Sequence, residues 1–115
     1  MDRTLRKYLT DISASIAEIE SFLNQRPKMF ETFCNDSMFR RAIERNLEII
    51  GEAMNQVLKI NSDISITSVR KIVDTRNFII HAYDSLRPEI LWMIVIKYLP
   101  VLKQEVNTLL ADSAL

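Results

Sequence analysis

A chain of 115 residues is long enough to bury one core, and its fifteen basic and fifteen acidic side chains cancel to a formal net charge of zero, so any polyanion site must be a local concentration of charge. A single cysteine, Cys34, excludes an intrachain disulfide and every multi-cysteine zinc or iron–sulfur site, and it suits a reducing compartment. A single glycine, where average usage of about 7% gives about eight, excludes glycine-rich phosphate loops and argues against sheets built from tight hairpins.

The first helix is predicted over residues 5–23, where Leu5, Leu9, Ile12, Ile16, Ile19 and Leu23 recur at steps of four and three and share one face. Pro27 closes it. The stretch PKMFETFCND has no sustained period and reads as a connector with one helical turn, laying Phe30 and Phe33 over the core. Asn35, Asp36 and Ser37 then supply capping side chains for a second long helix over about residues 37–60.

That helix carries two apolar stripes where an amphipathic surface helix needs one. Phe39, Ile43, Leu47, Ile50, Met54 and Val57 form the first, and Ala42, Ile49, Ala53 and Ile60 the second. Gly51 lies in its interior at a cost of roughly 1 kcal/mol relative to alanine. Two readings stay open for the second stripe and Gly51: tight packing on a helix of the same chain, or a subunit contact or ligand approach.

A third helix, capped by Ser65 or Thr67, is predicted to run to about Tyr83 with Val69, Ile72, Val73, Ile79 and Ile80 buried. Residues 84–88 break the chain, and Pro88 fits the first turn of a fourth helix bearing Leu91, Val95, Tyr98, Leu102 and Leu109 and kinked at Pro100. The expectation is an all-α, up-and-down bundle of four long helices plus a short helical connector, one domain over residues 1–115. The N-terminus has no apolar signal region, and the longest apolar run, residues 90–96, is far short of a membrane span, so a cytoplasmic location is expected.

One constellation in the third helix bears on chemistry: Arg76, Asn77, His81 and Tyr83 within RNFIIHAY. At 100° per residue Arg76 and Tyr83 lie about 20° apart in the middle of the apolar stripe. A guanidinium cannot shed its charge, so if the stripe is buried Arg76 must meet a carboxylate, a phosphate or a water-filled cleft. Asp74, Asn77, His81 and Asp84 follow at steps of three and four on the adjacent face and can hydrogen-bond in series. A purely structural reading also stands, in which Arg76 pairs with an acidic group such as Glu52, His81 is solvated and Tyr83 caps the core. One histidine without cysteine partners cannot supply a catalytic zinc site, so no metal and no cofactor are expected.

The spacing Arg-x4-His-x-Tyr with Asn directly after Arg resembles the signature of HEPN domains, in particular the HepT-like toxins paired with minimal nucleotidyltransferase antitoxins. RRAIERNLEIIGEA at 40–53 is similar to that family's second-helix motif, and residues 92–100 to its last helix. The resemblance implies a metal-independent endoribonuclease, the toxin of a type VII-like toxin–antitoxin system, with an active site at a two-fold homodimer interface. Carried over, Arg76, Asn77 and His81 are the ribonuclease site acting on RNA, and Tyr83 is where the partner nucleotidyltransferase attaches AMP. Chemically this fits: metal-free cleavage needs a base for the 2′-hydroxyl, an acid for the 5′-oxygen and a cation for the phosphorane, and two copies of His81 and Arg76 supply them. The alternatives are a non-catalytic nucleotide- or RNA-binding module and a structural subunit that docks a nucleotidyltransferase.

Overall fold

The computed structural model describes residues 2–81 and 87–112, and for residues 78–81 the backbone alone. Every regular element among them is helical: α1 (Arg3–Asn24), α2 (Phe30–Asn35), α3 (Ser37–Ile60), α4 (Val69–His81), α5 (Pro88–Met93), a π turn (Ile94–Tyr98) and α6 (Leu99–Asp112). α1 buries Leu5, Leu9, Ile12, Ile16 and Ile19 as its period requires, while Leu23 is only partly buried. Asp2 caps its start, accepting from the Leu5 amide at 2.9 Å.

The first stripe of α3 is buried along its whole length, from Phe39 to Val57, against α1 on one side and α4 on the other. α1 and α3 run antiparallel: Arg26, just past the end of α1, meets Asp36 at the start of α3 at 3.2 Å. α6 returns along α1, with Arg6 Nη1 donating to the Leu110 carbonyl and Lys103 pairing with Glu20 at 3.0 Å. The connector forms α2, and its aromatic role holds for Phe33. That ring is fully buried, edge-on to Phe39 at 5.8 Å and tilted on Trp92 at 5.2 Å. Phe30 stays half out, 6.5 Å from Trp92.

Three features depart from the sequence expectation. α4 begins at Val69, and Thr67 bonds to another helix: its amide and hydroxyl each donate to Glu105 of α6, at 3.0 Å. The run from Pro88 to Asp112 is divided by a π turn, in which the Leu99 amide reaches back five residues to the Ile94 carbonyl. Pro100 offers no amide to the carbonyl of Ile96, and the wider turn lies immediately upstream of that gap. Ile94, Leu99 and Val106 are buried beside the expected Leu91, Val95 and Leu102, while Tyr98 and Leu109 are only partly buried. Third, the second stripe of α3 is not one continuous outer face: Ala53 is buried, Ala42 and Ile49 are half-buried, and only Ile60 is exposed.

The Asp36 cap gives the bundle a defined response to acid. The Phe39 amide, donating to Asp36 at 3.0 Å, holds this carboxyl below its ordinary value of 3.8; burial opposes the shift, and the Arg26 hydrogen bond reinforces it. A carboxyl depressed in the folded state stabilises the fold above its unfolded value and loses that contribution as pH falls through the folded one. Asp36→Asn keeps an acceptor at the cap but does not titrate. Thermal melts between about pH 5 and pH 3 should therefore show the wild type losing stability faster than Asp36→Asn. Parallel decline of the two proteins would remove the cap carboxylate from the account.

Candidate active site

Arg76 reaches the surface of the bundle across Gly51. An added Cβ on Gly51 would collide with the Cβ of Arg76 and come within 3.0 Å of its Cγ and 3.1 Å of the Ile72 carbonyl. No described residue has positive φ, so Gly51 is needed for space rather than for conformation. The open choice for this glycine is settled in favour of packing within the chain: it lets α4 lie directly on α3 and aligns the stem of Arg76.

The next residue of α3 receives the charge. Glu52 Oε2 lies 2.6 Å from Arg76 Nη2, and Gln56 Nε2 donates to Glu52 Oε1 at 3.4 Å. Arg76 Nη1 donates to Asn77 Oδ1 at 2.9 Å. The Arg76 side chain as a whole is about three-quarters buried, 26% exposed against 47% for Glu52. The Glu52 contact is a close approach of charges without the alignment of a hydrogen bond. Glu52 Oε2 and Arg76 Nε are both shielded from solvent, and neither has a hydrogen-bond partner among the described residues.

This pair lies on the wall of a groove of about 570 Å³ between α1, α3 and α4. Ala14, Ser15 and Ala53 contribute small side chains to it, and Tyr8, Asp11, Arg45 and Glu48 add polar ones. The carboxylates there have cationic neighbours: Asp11 meets Lys7 at 3.0 Å and Glu48 meets Arg45 at 3.5 Å. The groove is thus close to neutral, and the feature that sets Arg76 apart is a permanent charge that is mostly buried yet lines the groove. A guanidinium carries five N–H donors in one plane, and those of its Nη groups not directed at Glu52 and Asn77 can take an anionic oxygen such as that of a phosphate.

Of the sequence-predicted residues, the structure brings Arg76 and Asn77 together. The backbone of His81 closes α4, 5 positions after Arg76 in the sequence, and Tyr83 and Asp84 lie outside the described residues. Asn77 Oδ1 accepts from Arg76, and the rest of the expected series, which runs through the His81 side chain and Asp84, lies outside what the structure describes. Tyr8, Asp11, Arg45 and Glu48 were missed. Their signal is a line of polar residues at steps of three along the edge of an apolar stripe, which also marks an ordinary solvated face.

Comparison with known proteins adds a family. The model described as "Ribonuclease HepT-like" matches residues 12–109. A protein of Caldanaerobacter subterraneus subsp. tengcongensis named provisionally as an RNase is 35% identical over 111 residues, covering 94% of this chain and 96% of that one. A protein of Thermococcus cleftensis named provisionally as the ribonuclease HepT is 36% identical over 107 residues, with 90% and 93% covered. One from Methanocaldococcus jannaschii, again provisionally an RNase, is 34% identical over 109 residues, with 91% and 95% covered. No solved structure matches at the same stringency.

The packing at Gly51 gives a test that needs no substrate. Alanine gains about 1 kcal/mol over glycine in an unstrained helix, but here its methyl group has nowhere to go, and overpacking of this kind costs about 1–3 kcal/mol. Gly51→Ala should therefore unfold at lower urea concentration than the wild type. A more stable Gly51→Ala would mean that α4 is not pinned on α3.

Proposed function

This chain belongs to the HepT-like ribonuclease family, and on that premise we propose that it is a metal-independent endoribonuclease whose site comprises Arg76, Asn77 and His81. The observation that carries the reading is a permanently charged side chain, mostly buried and lining a groove, whose Nη groups keep N–H donors beyond those directed at Glu52 and Asn77. A structural arginine would also hold Glu52. A groove lined by spare guanidinium donors is what a phosphate ligand needs.

In the proposed reaction the 2′-oxygen attacks the adjacent phosphorus and the bond from phosphorus to the 5′-oxygen breaks. A base takes the 2′-hydroxyl proton, an acid returns a proton to the leaving 5′-oxygen, and Arg76 balances the charge growing on the phosphorane. The products are a 2′,3′-cyclic phosphate and a free 5′-hydroxyl. The chain has one histidine, so a two-fold dimer supplies base and acid from two copies of His81. The half-buried Ile49 on the outer side of α3 is where a second copy would sit. Buried Ala53 belongs to the packing of the chain itself and is a poor place to probe that contact.

The switch proposed with it is the toxin–antitoxin one: a partner nucleotidyltransferase attaches AMP to Tyr83. The new phosphodiester would then compete with RNA for Arg76. Among the described residues no helix is long and apolar enough to cross a membrane.

One set of proteins tests the reading: wild type, Arg76→Ala, His81→Ala and Tyr83→Phe, each prepared alone and after co-expression with a minimal nucleotidyltransferase. The wild type should cut RNA in EDTA to cyclic-phosphate ends. Arg76→Ala and His81→Ala should lose a factor of about 10²–10⁴ in rate with helix content unchanged. After co-expression the wild type should gain AMP and lose activity, and Tyr83→Phe should do neither. Full cleavage by His81→Ala would refute the site, and complete inhibition by EDTA would point to a metal enzyme.

A further inference from the structure

We propose that the groove beside Arg76 is a subsite for a nucleobase bearing an exocyclic amino group, stacked on Tyr8 and read by Asp11 and Glu48 next to the phosphate that Arg76 receives; the assignment rests on the ribonuclease reading. A groove of about 570 Å³ is larger than one phosphate needs and within the range of small-ligand sites, about 300–1,000 Å³. Its charge is not that of a track for a second phosphate. Asp11, Glu48 and Glu52 line it against Arg45 and Arg76, so an anion gains nothing by moving along it away from Arg76. A strand with one phosphate on Arg76 therefore extends along the groove through a neutral part, and the neutral parts of a nucleotide are its ribose and base.

The lining suits a base. Tyr8 is partly buried against the core, which anchors its ring at the groove wall. Ala14, Ser15 and Ala53 add little bulk and leave room for a flat ring. Stacking on an aromatic side chain accepts any base, so the choice among bases falls to the carboxylates. Lys7 Nζ lies 3.0 Å from Asp11 Oδ2 and 5.1 Å from the centre of the Tyr8 ring, which makes carboxylate and ring neighbours. Asp11 Oδ1 has no hydrogen-bond partner among the described residues. The Glu48 carboxylate stands 3.5 Å from Arg45 and has no hydrogen bond to any described residue. An ionised carboxylate only accepts, so it pairs with the amino group of adenine, cytosine or guanine and repels the carbonyl oxygens of uracil.

The experiment incubates the full-length protein with a pool of random-sequence oligoribonucleotides and sequences both product fragments, giving the base frequencies on each side of the cut. It compares wild type, Tyr8→Phe, Tyr8→Ala and the double variant Asp11→Asn with Glu48→Gln, and follows the oligomeric state of each by sedimentation. The wild type should show uracil depleted about fivefold or more at one position flanking the cut. Tyr8→Phe keeps the ring and should match it, whereas Tyr8→Ala should lose roughly 5- to 150-fold in kcat/KM. The double variant should keep the wild-type rate and lose the depletion, because an amide can turn its N–H to a uracil oxygen. Should Tyr8→Ala fail to fold, the double variant, altered at partly exposed side chains, decides alone. Equal use of the four bases by the wild type, a folded Tyr8→Ala within about twofold of it, or a double variant that still disfavours uracil would each overturn the subsite, and loss of cleavage by Arg76→Ala would leave the ribonuclease reading standing. A Tyr8→Ala protein that stops self-associating and keeps the wild-type base frequencies would make the groove a contact between copies and overturn it too. Wild-type protein that cuts no RNA would overturn the ribonuclease reading and this assignment with it.

Discussion

The arrangement depends on one constraint: a guanidinium that cannot lose its charge is set in the seam between α3 and α4, and everything near it is adjusted to keep it there. Gly51 removes a side chain that would hold the helices apart, so the stem of Arg76 packs directly on α3. Glu52, one residue on, answers the charge. Burying such a charge unpaired costs several kcal/mol, whereas leaving the pair half in solvent keeps the desolvation cost low and the cation available. The groove is what remains in front of that pair once α1 has packed beside it with small side chains, Ala14 and Ser15.

The rest of the fold serves to make the seam rigid. α3 is the central helix, in contact with α1, α2 and α4, and its buried face from Phe39 to Val57 leaves it little room to shift. Phe33, inserted from the short α2, joins α3 to Trp92 on α5. Thr67 and Glu105 fasten the approach to α4 onto α6. A cation placed this way is carried by packed helices on both sides rather than by a loop, which is the condition under which a charge is pre-oriented for a reaction.

Much of this was legible in the sequence, because helices are written in a period of 3.6 and this chain has few residues that interrupt it. The stripes from Leu5 to Ile19 and from Phe39 to Val57 are buried as their spacing requires, and Asp36 caps where a polar cluster precedes an apolar run. Arg76 was visible as a charge on an apolar face, together with the carboxylate it could meet. What was not legible depends on contacts between distant segments. The π turn puts one extra residue between Ile94 and Leu99, and a fixed period cannot anticipate an insertion. The bond from Thr67 to Glu105 spans 38 positions and competes with a local cap that looks equally good on paper. The polar lining of the groove, Tyr8 with Arg45 and Glu48, has the spacing of any exposed helical edge until α1 and α3 are placed side by side.

The central claim is that the Arg76 guanidinium receives a phosphate. The ¹⁵N–¹H signals of its side chain can be followed directly in labelled protein while RNA made uncleavable by 2′-O-methylation is added. The account requires a saturable shift of the Arg76 side-chain signals and slower exchange of its Nη protons with water. Arg76 side-chain signals that stay in place while backbone amides elsewhere report saturated RNA binding would contradict it.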